Sequence, residues 1–165
     1  MPNKEVIVLV GPMGVGKSTV GKKLAKSLKM SFCDTDSLLT EEYGSIEDFF
    51  ENNGEAAFRK VEHEALIKAL SSPGIVATGG GAVLLAESRL ALKAATVVYL
   101  STDGKHMGSR LRKSSRPLIK NGLDDWKRIY ESRKEIYEEV ADFEINTSGH
   151  PLAQTISEIR ERLGI

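Results

Sequence analysis

Eight residues near the amino terminus, Gly11-Pro12-Met13-Gly14-Val15-Gly16-Lys17-Ser18, have the spacing G-x-x-x-x-G-K-[ST]. That spacing builds a loop for the phosphate tail of a nucleoside triphosphate. Glycines at 11, 14 and 16 let the chain turn so that successive N–H groups face phosphate oxygens. Lys17 brings a positive charge to the β- and γ-phosphates, and the Ser18 hydroxyl is placed to ligate Mg²⁺. Gly14, Val15, Gly16, Lys17, Ser18 and Thr19 are therefore the candidate ATP-binding residues. A helix starting at Lys17 would aim its positive dipole end at the same anion. The flanks agree: an apolar run, Val6-Ile7-Val8-Leu9-Val10, precedes the loop, and Val20, Leu24 and Leu28 follow at helical spacing. An ordinary glycine-rich strand-to-helix turn would leave the lysine, the hydroxyl and these flanks unexplained.

Other residues could complete a phosphoryl-transfer site. Asp34-Thr35-Asp36 follows a second short apolar run. One carboxylate could hold Mg²⁺ through water, and the other could accept a proton from a hydroxyl being phosphorylated. Either could instead be the N-cap of a helix starting near Ser37. Asp103 is a rival magnesium partner, although Ser101-Thr102-Asp103 reads better as the cap of a following helix. Arg59 could grip an anionic substrate with its planar fork, steadied by Glu62 three residues on; a solvated surface pair is the alternative. Phe58, Val61, Ala65 and either Leu66 or Ile67 supply that helix with an apolar face. Gly79-Gly80-Gly81 ends a third apolar run and leaves bare backbone where a ligand can come close. Arg116 lies in a basic, turn-rich stretch and could close over a phosphoryl group in flight. Arg133 sits among many charges and reads, on its own, as solvated.

The elements that must position these residues follow from periodicity. Short apolar runs at 5–10, 31–33, 75–78, 96–100 and 143–145 predict five strands. Helical stretches are predicted at 17–28, 35–43, 46–52, 55–70, 84–94, 103–112, 124–140 and 152–163. Continuously apolar runs such as Val97-Val98-Tyr99-Leu100 suit a parallel sheet covered on both faces. The fold class is α/β: a three-layer α/β/α sandwich on a five-stranded parallel sheet, with ligands at the carboxyl ends of the strands. One domain is expected across residues 1–165, with its core at 1–34, 71–112 and 124–165. Residues 35–70 hold too much helix for one crossover and read as an inserted substrate-binding unit; Ser45 with Asp48 begins a helix there and Asn53-Gly54 ends it. Residues 113–123 read as a lid.

Bulk composition narrows the class. The 165 residues carry 23 basic and 23 acidic side chains, so no global field draws the chain to nucleic acid or to a membrane surface. No apolar run reaches the length of a membrane span, and a cytoplasmic location is expected. The single cysteine, Cys33, excludes an internal disulfide and reads as a small buried apolar side chain. Three scattered histidines make a zinc site improbable.

Taken together, the phosphate loop, Asp34-Thr35-Asp36, Phe58-Arg59 with Glu62, Gly79-Gly80-Gly81, Arg116-Pro117-Leu118 and Arg133 through Tyr137 resemble the shikimate kinases, in the family's order and close to its spacing. These are small members of the nucleoside-monophosphate-kinase-like P-loop group. The resemblance implies transfer of the ATP γ-phosphoryl group to the 3-hydroxyl of shikimate. It gives Ser18 and Asp34 the Mg²⁺, and Asp36 the substrate hydroxyls and the role of candidate base. It gives Arg59, Gly80 and Arg133 the shikimate carboxylate, and Lys17 and Arg116 the phosphoryl charge. Small-molecule substrates and a monomer are expected. The segment before Arg116 is shorter than the family's usual lid, which leaves Arg110 and Arg112 both open as adenine contacts. Many relatives carry arginine near residues 146–151; this chain has His150 there. Other readings are a kinase of the same fold acting on gluconate or a nucleotide, and a nucleotide-binding regulatory module. A GTPase would want N-K-x-D, whereas Asn3-Lys4 is followed by Glu5-Val6.

Overall fold

Alternate residues of the central strands face opposite ways, and the two faces are covered by different helices. In a computed structural model that describes residues 5–111 and 122–165, the strands are β1 (Val6–Val10), β2 (Phe32–Asp34), β3 (Gly74–Ala77), β4 (Thr96–Ser101) and β5 (Phe143–Asn146). The helices are α1 (Lys17–Leu28), α2 (Thr35–Tyr43), α3 (Ile46–Leu70), α4 (Ala86–Leu92), α5 (Met107–Leu111), α6 (Leu123–Val140) and α7 (Leu152–Leu163). All strand pairs are parallel, in the order β2-β3-β1-β4-β5. Val8, Val10, Val76, Val97 and Tyr99 pack with Leu66, Leu92, Trp126 and Tyr137, from α3, α4 and α6. Ile7, Leu9, Ile75, Val98 and Leu100 pack with Val20, Leu24, Ile156 and Ile159, from α1 and α7. Each such aliphatic side chain contributes about 1.5–3 kcal/mol of burial. The three-layer parallel sandwich predicted above is therefore the observed one.

Most predicted elements agree with the observed ones within two residues. Two of the differences have a clear physical cause. The predicted helix 103–112 shortens to Met107–Leu111, because Asp103 does not cap it. Its Oδ1 instead accepts from Lys105 N at 3.0 Å, closing a local turn. Cys33 is only partly buried, because β2 is an edge strand whose three residues are all half-covered.

The segment 35–70 builds a small core of its own. Leu39, Phe58 and Ala65 are buried there, with Phe49, Phe50 and Val61 packed around them. Leu66, not Ile67, completes the inner face; Ile67 is exposed. Ser45 Oγ accepts from Asp48 N at the start of α3, and Gly54 interrupts the helix at φ 85° and ψ 174°. Positive φ suits glycine there, and the break folds Phe50 back onto Phe58, ring centroids 5.7 Å apart. No helix among the described residues is long and apolar enough to cross a membrane.

The passage from β1 into the phosphate loop runs close against β4. Gly11 has φ 147°, and a Cβ there would lie 2.5 Å from the Leu100 carbonyl oxygen of β4. Gly11→Ala is expected to cost at least about 2 kcal/mol, from strain plus a clash with backbone that cannot swing aside. Urea denaturation of the variant checks this, and wild-type stability would refute it.

Candidate active site

The phosphate loop is shaped by its glycines and closed by its own lysine. Gly14 and Gly16 have φ 79° and 103°, and Gly16 is the residue from which α1 departs. The Lys17 ammonium donates to the carbonyls of Gly11 (2.6 Å) and Pro12 (2.9 Å), which holds the cation across the loop. Val15 is buried in the face covered by α1 and α7, while Thr19 is exposed on the first turn of α1. Outside the loop, Arg110 Nη1 donates to Gly14 O at 2.6 Å and Trp126 Nε1 to Met13 O at 2.8 Å. Met107 packs so closely that its sulfur would lie 2.6 Å from a Cβ at Gly14.

Asp34 caps a helix, one of the readings open to it in the sequence, and also meets the phosphate loop. Its Oδ1 caps α2, accepting from Asp36 N (2.9 Å) and Ser37 N (3.3 Å). Its Oδ2 accepts from the Ser18 hydroxyl. One hydroxyl and one carboxylate thus meet beside the phosphate loop. These are hard oxygen donors of the kind Mg²⁺ takes when phosphates and waters complete its shell.

Three glycines at the end of β3 collect the charged residues predicted from separate parts of the chain. A Cβ at Gly79 would meet Asp36 Oδ1 at 3.0 Å and Glu62 Oε2 at 3.1 Å. One at Gly80 would lie 3.5 Å from Arg133 Nη1 and 3.3 Å from Met13 N. One at Gly81 would overlap the Arg59 guanidinium. Bare backbone here serves the protein's own side chains as much as any ligand. Arg59, 8% exposed, is not a solvated pair: it bonds Glu62 Oε1 at 2.8 Å and approaches Glu55 at 3.4 Å. Arg133, read from sequence as solvated, is 5% exposed, since α6 turns that face onto the sheet.

Two groups here have displaced protonation equilibria. Burial pushes the Glu62 carboxyl above the ordinary glutamate range; the Arg59 guanidinium opposes this, and Asp36 adds to it. Tyr137, 1% exposed, is pushed up to about 12 by burial, with Arg133 beside it opposing. It therefore stays a hydroxyl, and it donates to Gly80 O at 2.5 Å. Motif reading missed Trp126 and, although Tyr137 closes the Arg133–Tyr137 motif, gave that residue no role of its own. The 126, 130, 133, 137 spacing on one face of α6 was the available signal.

A cleft of about 450 Å³ runs from the phosphate loop, residues 13–19, to Asp36, Thr78, Gly79 and Gly80. Arg110, Thr147 and His150 line its other end and an adjoining cleft of about 320 Å³. Arg59 and Arg133 are not among its described lining residues; they reach the same glycine loop at positions 81 and 80. Arg112 and Arg116, with residues 113–121 of the predicted lid, lie outside the described residues. His150 is near Glu158, at 3.8 Å.

Because folded Glu62 keeps its proton to higher pH than the unfolded chain does, its contribution favours folding below the ordinary glutamate value of about 4.3. That contribution is lost as pH rises through the raised folded value. Glu62→Gln removes it. Urea denaturation across pH should show wild-type stability, relative to the variant, falling as pH climbs from about 4. A pH-independent difference would contradict the assignment.

Comparison with known proteins agrees with this geometry. A family profile described as shikimate kinase matches residues 13–164. The chain is 44% identical to the shikimate kinase of Streptomyces coelicolor, over 87% of this chain and 86% of that one. It is 39% identical to that of Enterococcus faecalis, over 96% and 98%. Among solved structures, shikimate kinase from Acinetobacter baumannii in complex with shikimate superposes with TM-score 0.91 at 36% identity, covering 98% of this chain and 94% of that one. A gluconokinase from Sinorhizobium meliloti shares the fold at TM-score 0.61 and 18% identity, covering 96% of this chain and 95% of that one. With the phosphate loop, the Asp-Thr-Asp strand end and the arginine-flanked glycine loop gathered in one cleft, this chain belongs to the shikimate kinase family.

Proposed function

We propose that the protein transfers the γ-phosphoryl group of ATP to the 3-hydroxyl of shikimate, giving shikimate 3-phosphate and ADP. The observation that carries this reading is the meeting of the phosphate loop with the glycine loop: Met13 N lies 3.3 Å from the Cβ position of Gly80. An acceptor held at residues 79–81 is thereby next to the donor's terminal phosphate. Such proximity and charge supply most of what phosphoryl transfer needs.

In this reading Gly14, Val15, Gly16, Lys17, Ser18 and Thr19 cradle ATP, with Lys17 turning from the loop carbonyls toward the phosphates. Arg59, Arg133 and the Gly80 backbone hold the shikimate carboxylate, and Glu62 keeps the Arg59 fork in place. Asp36 binds the acceptor hydroxyl and takes its proton as the oxygen attacks the γ-phosphorus and the bridging P–O bond to ADP breaks. Arg116, outside the described residues, is assigned the charge on the phosphoryl group. Ser18 and Asp34 would hold Mg²⁺, the latter through water. Bound there, the ion neutralises phosphate charge. Residues 35–70 are the substrate-binding unit and 113–123 the lid of a single domain. With charges balanced 23 against 23, the reading is of a cytoplasmic monomer acting on small molecules, with neither nucleic acid nor membrane as partner.

A coupled ADP-release assay with shikimate, gluconate and nucleoside monophosphates as acceptors tests the reading directly. Turnover only with shikimate is expected; turnover on gluconate alone would replace it with the other kinase reading. Asp36→Asn should abolish transfer while ATP affinity, followed by calorimetry, stays near wild type. Arg59→Ala and Arg133→Ala should weaken shikimate binding by roughly 2–5 kcal/mol, the cost of losing one partner of a desolvated charge pair. Unchanged shikimate titrations would remove the carboxylate clamp.

A further inference from the structure

The phosphate loop is held from behind by a residue that does not face its cleft. Trp126 is 3% exposed, and its indole Nε1 donates to Met13 O at 2.8 Å. Its ring fills the space over Gly104, where a Cβ would lie 2.8 Å from the ring edge. Among the described residues Trp126 does not line the cleft, whereas Met13 and Gly14 do. The peptide joining Met13 to Gly14 is trans, so its C=O and N–H point in opposite directions. Drawing the Met13 carbonyl outward onto α6 therefore turns the Gly14 N–H inward. Gly14 follows at φ 79° and has no side chain to fix this orientation by itself.

We propose that Trp126 is a positioning residue for the nucleotide: by holding the Met13 carbonyl it presents the Gly14 N–H as a fixed donor to phosphate oxygen. A donor oriented before binding costs no reorganisation when the anion arrives. An indole suits the task because it carries one donor and no acceptor, on a rigid ring that the core holds in place. The inference rests on the nucleotide-binding reading of the loop. It implies that Trp126 sets affinity for the phosphoryl donor and not for the acceptor.

Trp126 is the chain's single tryptophan, so a ¹H–¹⁵N spectrum of the ¹⁵N-labelled protein contains one indole cross-peak. That peak is expected to shift saturably with ADP, at the affinity given by calorimetry, and to stay in place with shikimate alone. Trp126→Phe keeps an aromatic ring over Gly104 and removes the donor. It should raise the ATP KM and the ADP Kd about three- to ten-fold, the range a single hydrogen bond supports, with the shikimate KM within about two-fold of wild type. A structural role alone would lower Tm and leave the ATP KM unchanged, or raise both KM values together; either result overturns the proposal. If the variant fails to fold, the wild-type titration decides, and an indole peak unmoved at saturating ADP overturns the proposal while nucleotide binding stands. Failure of ADP to bind the wild-type protein would remove the loop reading together with the proposal.

Discussion

The floor of the cleft beyond the phosphate loop depends on how closely charged groups approach the backbone of residues 79–81. Asp36 and Glu62 come within about 3 Å of the Cβ position of Gly79, Arg133 and Tyr137 flank Gly80, and Arg59 lies where a side chain at Gly81 would be. Any larger residue would push Arg59 off Glu62, or Asp36 off the cleft wall. None of these three glycines needs a positive φ. They are required for space, unlike Gly11, Gly14 and Gly16, whose backbone angles other residues rarely adopt. The two glycine clusters thus solve different problems, conformation in the phosphate loop and clearance at the end of β3.

Gathering Arg59, Glu62 and Arg133 in so little water is costly, because each ion loses hydration. The arrangement is sustained by pairing: Glu62 bonds Arg59 directly and feels Arg133 as well. The Glu62 carboxyl is displaced upward because burial outweighs the attraction of Arg59. This also explains why Arg59 sits on a helix with its own small apolar core. The rings of Phe49, Phe50 and Phe58 fix the helix, and with it the guanidinium, against the glycine loop.

Helix α6 joins the two halves. Trp126 meets the Met13 carbonyl, Arg133 the edge of Gly80, and Tyr137 the Gly80 carbonyl. Between them the Tyr130 hydroxyl meets that of Tyr99 at 2.6 Å, tying the helix to β4. The phosphate loop and the glycine loop are therefore referred to one rigid element. This suits a reaction whose rate depends on the distance between two bound molecules.

The sequence alone determined the donor chemistry and the layer architecture, because both are written in local patterns. Eight consecutive residues specify the phosphate loop, and apolar runs of three to six residues announce parallel strands. It also marked Asp34 and Asp36 by their place after a strand. It could not choose between capping and ligand roles; in the fold Asp34 caps α2 and receives the Ser18 hydroxyl at once. Only the tertiary structure decided what lies next to what. Arg133 looked like one more charge on a polar helix until α6 turned it onto the sheet, and Trp126 and Tyr137 carry no motif that names a carbonyl 113 or 57 residues away. Such contacts depend on how helices seat on the sheet, a global consequence of packing that no local run of residues encodes.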